Sequence, residues 1–372
     1  MPMAIDMISR RQVLAHGARG GVVAGSLQAM AWSAWAADAE SATRLAATWA
    51  MEAGHHVGVL QVQRAGLRVQ SQLAVPTRAH GLSRESAHVM LSVARRPGDW
   101  LLRWHLGGKP LTWCWVEPGR AFNGHALHSP DGLRVYTTET DLDTGAGWIA
   151  LRDSRTLRKL QDWPTGGQDP HQMTWLPGAE GRRLIVANGG LATWPETGRQ
   201  KVALDKMDSS LAVIETERGR LDGQWRVADR RLSLRHLAWH RHGPRPVLGI
   251  ALQAEHDQLA DKIAAPVLAL WDGTQLRTAP SDAVPLAGYG GDIAAIPEGF
   301  AVSAPKAHAV GLWRPDGQWI GSMGAAQACA LAEEADRLWV GEQQGAWQRT
   351  ASQTTRVPGD QALRLDNHWL VI

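Results

Sequence analysis

The chain has 372 residues, 44% of them hydrophobic, and carries 39 Lys and Arg against 36 Asp and Glu, a net charge of +3. That is apolar material enough for a large core, and it excludes a disordered chain. Mixed, nearly balanced charge also argues against nucleic acid as the main partner.

Residues 1–36 read as an export leader. Ser9-Arg10-Arg11-Gln12-Val13-Leu14 resembles the twin-arginine motif, a Gly/Ala-rich stretch follows to Ala31, and Ala34-Trp35-Ala36 offers a small-x-small cleavage site. Arg19 interrupts the mildly apolar stretch, which is too short to span a bilayer. No later segment is apolar enough to span. The reading is a signal peptide over 1–36 and a single domain over 37–372, exported folded to the periplasm by the twin-arginine route. The leader accounts for +2 of the charge through Arg10, Arg11, Arg19 and Asp6.

After the leader, helical periodicity nearly vanishes. Short β-rich runs recur, bounded by Gly, Pro and Asp, at 57–63, 89–93, 134–138, 183–187, 211–214, 267–270 and 338–340. Pro130-Asp131-Gly132 and Pro315-Asp316-Gly317 mark hairpins between such runs. The 19 Trp, against 2 Tyr and 2 Phe, are expected in strands and core.

One unit repeats in register: a turn, one special residue, then an apolar strand start. It reads Ala79-His80-Gly81-Leu82, Gly124-His125-Ala126-Leu127, Pro170-His171-Gln172-Met173 and Arg235-His236-Leu237-Ala238. It continues as Gly291-Asp292-Ile293-Ala294 and Ala328-Cys329-Ala330-Leu331, with a last weak copy at Ala362-Leu363-Arg364-Leu365. The first six copies step by 45, 46, 65, 56 and 37 residues, against about 40–50 for a four-stranded propeller blade. Insertions at 191–208 and 255–265 explain the long steps. The predicted fold is all-β, a seven-bladed β-propeller of WD40/YVTN-like architecture, its last blade closed by strands from both chain ends so that no sheet edge stays open.

Several stretches resemble a family of exported bacterial proteins, domain of unknown function 1513. They include Ala94-Arg95-Arg96-Pro97-Gly98, Tyr136-Thr137-Thr138-Glu139, Val186-Ala187-Asn188-Gly189-Gly190, Pro195-Glu196-Thr197-Gly198-Arg199 and Ser233-Leu234-Arg235-His236. The resemblance implies a seven-bladed propeller with a Tat-like leader, encoded beside imelysin-type proteins and dihaem oxidoreductases linked to iron uptake. Those two become the expected partners, and periplasmic iron handling the expected setting. The Trp content departs from the family pattern, as does the loss of His from the fifth and sixth repeats.

Propeller geometry aims the starts of inner strands at the axis. His80, His125, His171 and His236 are therefore expected around one channel mouth. Arg95, Arg96, Glu139, Asp141, Asn188, Glu255 and His256 follow second strands and point to the same face, and the insertion through 194–199 is placed to cover it. Such imidazoles suit Fe, Cu, Zn or Ni, and nearby carboxylates favour iron over copper. The structural alternative is a ring of His each bonded to a backbone carbonyl of the next blade. Asp141, Asp143 and Gly145 only partly match a calcium loop. Ser129 sits before a turn, without the GxSxG of a hydrolase nucleophile. Cys114 and Cys329 form no CxxC or CxxCH motif, and a disulfide between them is allowed in an oxidising compartment. Two classes of function compete: a metal- or partner-binding propeller, and a metal-dependent enzyme of oxidoreductase or lactonase/hydrolase type. The paucity of acids around the His favours binding.

Overall fold

In a computed structural model, which describes residues 43–197, 200, 203–280 and 284–372, the chain forms a seven-bladed β-propeller. The expected leader, residues 1–36, lies outside the described residues. Six blades are continuous in sequence, each an antiparallel four-stranded meander: 79–115, 120–168, 170–225, 232–279, 293–324 and 331–358. The seventh combines the two ends of the chain. Arg44–Met51, Gly54–Gln63 and Gly66–Val75 form its outer three strands, and Arg364–Leu365 and Leu370–Val371 pair with Arg44–Met51 on the inside. The ring closes as the repeat pattern required, and nearly every described residue outside the strands lies in turns and loops.

The two insertions fall where the long steps placed them. Residues 191–208 follow the second strand of blade 170–225 and hold one turn of 3-10 helix, Leu204–Lys206. Residues 255–265 follow the second strand of the next blade and hold the short helix Leu259–Ala264. No helix among the described residues is long and apolar enough to cross a membrane.

Core packing lies between blades, because each sheet is apolar on both faces and buries them against its neighbours. Trp49, Trp100, Trp104, Trp313 and Trp339 are fully buried. Indole N–H groups also tie blades together: Trp175 donates to His128 O at 2.8 Å, and Trp239 to Trp175 O at 3.0 Å, each reaching the preceding blade. Cys114 and Cys329 are both free thiols, so the allowed disulfide is not formed. Burial pushes the Cys329 thiol up to about 12.

Candidate metal centre

Each of the four predicted histidines lies in an inner strand, and each of those strands is irregular at the histidine. Pairing with the second strand shifts between Ala79 and Leu82, Phe122 and Ala126, Pro170 and Met173, and Leu234 and Leu237. A bulge re-aims a side chain that would otherwise stand over a sheet face, and here it turns four rings toward the axis. Gly124 shows how closely the strands approach. Its φ is +97°, and a Cβ there would stand 2.6 Å from His80 Cδ2. Only glycine meets both conditions.

The rings meet. Centroids of His80 and His125 lie 4.7 Å apart, those of His125 and His171 4.7 Å, and those of His171 and His236 4.6 Å. One ring nitrogen from each of the four lies within 4.8 Å of the others. A fifth ring joins them: His368 stands 4.6 Å from His80, 5.2 Å from His125 and 4.4 Å from His236, centroid to centroid. It occupies the position of the special residue in the closing blade, where φ is +70° and the inner strand breaks between Arg364–Leu365 and Leu370–Val371. The weak copy at Leu363 is thus out of register. Asn367-His368-Trp369-Leu370 repeats the spacing of Ala79-His80-Gly81-Leu82, and that was the signal for the fifth histidine.

None of the five rings bonds a backbone carbonyl among the described residues, so the structural alternative has no support. Instead His171 Nε2 lies 2.9 Å from His236 Nε2 and 3.4 Å from His80 Nε2. His125 Nε2, His171 Nδ1, His236 Nδ1 and His368 Nε2 are buried without hydrogen-bond partners. Buried polar atoms are seldom left this way. Cis donors held 2.0–2.1 Å from a single ion stand about 2.9–3.4 Å apart, and the two Nε2 separations match that range.

Polar groups behind the rings orient them. Asp292 accepts at Oδ2 from His368 Nδ1 (3.1 Å) and from Leu331 N (3.1 Å), and at Oδ1 from Ile293 N (2.9 Å). The Asp292 contact places the His368 proton on Nδ1 and turns the Nε2 lone pair inward, as a carboxylate behind a metal-ligating histidine does. Asn367 takes Arg78 Nη2 on its Oδ1 at 3.0 Å and turns Nδ2 to His80 Nδ1 at 2.8 Å. In this arrangement the His80 proton sits on Nε2, toward His171. A metal on His80 Nε2 therefore requires that proton to leave and Asn367 to turn over. Desolvation by burial, then the neighbouring imidazoles and arginines, push His80, His125, His171 and His236 well below the usual histidine range. These four rings are neutral near neutral pH, the form that binds metal.

The other predicted residues divide. Arg95 and Arg96 line a cavity against His80, His171 and His236. Arg96 and Arg235 both donate to Asp169 Oδ2, an ion pair deep behind the rings. Glu139 goes elsewhere. Alternation along Arg134–Asp141 turns Thr138 to the face that meets the next blade, where its hydroxyl donates to His171 O at 3.0 Å. Glu139 therefore faces the opposite way, pairing with Arg152 (2.7 Å) and Lys159 (2.8 Å) inside its blade. Asn188 donates to Ser210 Oγ at 3.2 Å, and Glu255 pairs with Lys262 at 3.5 Å. Asp141 caps its own turn by accepting from Thr144 N at 2.9 Å, which accounts for its calcium-like spacing. His256 pairs with Asp229 at 2.9 Å. Trp194 donates to Leu142 O at 3.2 Å, placing the start of the insertion on the neighbouring blade. Residues 198 and 199 at its end lie outside the described residues. The carboxylate beside the rings is Asp292, which occupied the register position of a missing His and could be recognised only once His368 was placed.

The fold and the five-ring cluster define the molecule as a seven-bladed propeller with a histidine-plugged axis. Residues 73–372 match the family described as a protein of unknown function (DUF1513), and the chain belongs to that family. No curated protein matches it. Among solved structures, one in a nidogen/laminin complex is similar at 12% identity, covering 89% of this chain and 98% of that one, with a TM-score of 0.47. A protein of unknown function from Bacteroides caccae is similar at 10% identity, covering 76% and 94%, also with a TM-score of 0.47.

Proposed function

We propose that the protein binds one transition-metal ion, Fe, Cu or Zn, on the axial histidine cluster, and that it does so as a periplasmic metal-handling protein exported by the twin-arginine route. The observation that carries the reading is the convergence of five buried imidazoles whose ring nitrogens lack enough protein partners. Nitrogen donors of this kind suit first-row metals. Asp292 behind His368 adds the second contact such sites use to fix a ligand. Iron is the preferred cargo because the family resemblance places such proteins beside imelysin-type and dihaem partners. Binding is favoured over turnover, since the acid expected beside the rings, Glu139, is engaged in its own blade.

The test is metal titration of the mature chain and of Asp292→Asn. The carboxylate does not touch the ion in this reading, so the variant is expected to fold while binding roughly 10–100-fold more weakly. Unchanged affinity in Asp292→Asn would remove His368 from the ligand set. Absence of binding in the parent protein would end the metal reading.

A further inference from the structure

The five rings plug the axis, and beyond them the inner strands enclose a second pocket, of about 500 Å3, on the side facing away from Arg95 and Arg96. His125, Asp292 and His368 supply its floor. Its wall is apolar: Leu82, Leu237, Ile293, Leu331 and Leu370 each bring one side chain from a different blade. Each stands one or two residues past a ring, or past the residue in the same register, so the repeat that builds the plug also builds this wall.

Two charged side chains stand at the outer end of this pocket. Arg241 follows the inner strand Leu232–His240, and Glu333 lies near the end of the inner strand Leu331–Glu334. Both are exposed, and among the described residues neither side chain forms a hydrogen bond or an ion pair. The blade 293–324 separates their two blades, which keeps them from joining. Protein nevertheless crowds the Glu333 carboxyl: desolvation pushes it above the usual carboxylate range, against the opposing pull of His242 and Arg241. Opposite charges that face one apolar pocket without meeting leave a place for a molecule that carries both complements.

We propose that this pocket binds a small zwitterion with an apolar body: an apolar amino acid, or a short apolar peptide with free ends. Its ammonium group meets Glu333, its carboxylate meets Arg241, and its apolar part lies along the wall toward His125 and His368. A guanidinium fork matches a carboxylate, and contacts between ionised groups are the strong hydrogen bonds, so the two ends are selected together. A dianion or a dication leaves one of the two side chains facing a like charge, and a neutral apolar molecule leaves both without partners. The volume falls in the ~300–1,000 Å3 range of small-molecule sites. The charged contacts come from residues outside the ring cluster, so this site stands or falls independently of the metal reading.

The experiment is calorimetric titration of the mature chain with leucine, phenylalanine and leucylleucine, then with the N-acetylated and the C-terminally amidated form of each. At least one free-ended ligand is expected to bind, and the comparison of leucine with leucylleucine separates amino acid from peptide. Blocking either end of that ligand should weaken it roughly tenfold. Glu333→Gln should bind the free ligand more weakly by a similar factor and be indifferent to acetylation, and Arg241→Gln should be indifferent to amidation. Both positions are exposed, so both variants are expected to melt like the parent, and the blocked ligands test the parent itself. No binding of any free-ended ligand would overturn the proposal. So would equal affinity for free and blocked forms, or undiminished binding in both variants.

Discussion

Acidification should unfold the metal-free protein far earlier than its carboxylates alone would. His80, His125, His171 and His236 are almost wholly buried, and burial together with mutual repulsion holds their folded-state pKa values well below 6.5. Above pH 6.5 the four rings are neutral in both states and stability does not depend on them. Below it the unfolded chain takes up four protons that the folded chain refuses, so stability falls with pH. The slope is 1.36 kcal/mol per pH unit for each site, hence up to about 5 kcal/mol per unit for four. A domain with about 5–15 kcal/mol in hand would then lose most of its stability within one to three units below pH 6.5. The assay is urea denaturation of metal-free protein at half-unit intervals from pH 7.5 to 5.0. A flat profile to pH 7.5 from 6.5, then a steep decline, is expected. Replacing His125 and His171 together by Asn should roughly halve the slope. Constant stability from pH 7.5 down to 5.0 would refute the neutral, desolvated cluster.

Three further outcomes follow from the same geometry. Deleting residues 362–372 removes both strands that pair inside Arg44–Met51 and takes His368 with them; the truncated chain should lose its cooperative thermal transition, and a melt like that of the full mature chain would contradict ring closure. Gly124→Ala places a Cβ 2.6 Å from His80 Cδ2 at a φ of +97°, so a loss of about 1–3 kcal/mol and weaker metal uptake are expected from melting and titration. Changing Arg10 and Arg11 to Lys should leave precursor in the cytoplasm on fractionation, whereas normal export would point to another route.

The ring was legible because a propeller repeats one local solution. The turn, special residue and apolar strand start recur wherever an inner strand begins, and four histidines in that position already located the axis. The fifth escaped because its strand is split around a left-handed residue, so Leu363 looked like the strand start. Leu363 instead packs in the core with Trp369. Glu139 was misjudged by one residue of strand alternation: the loop it precedes does open toward the mouth side, but its side chain turns to Arg152. Asp169 gave no local sign at all, and Asp292 showed only as the occupant of a repeat position that lacks its His. Their partners are Arg96 and Arg235 in one case and His368 in the other, contacts made across blades that only the closed ring creates.

The measurement that bears most directly on the account is elemental analysis of the protein recovered after export through its own leader, beside a His171→Asn, His236→Asn double variant that folds. The account predicts a transition metal in stoichiometric amount in the parent and its loss in the variant. Parent protein that emerges metal-free, and then takes up no Fe, Cu or Zn in either oxidised or reduced form, would contradict it.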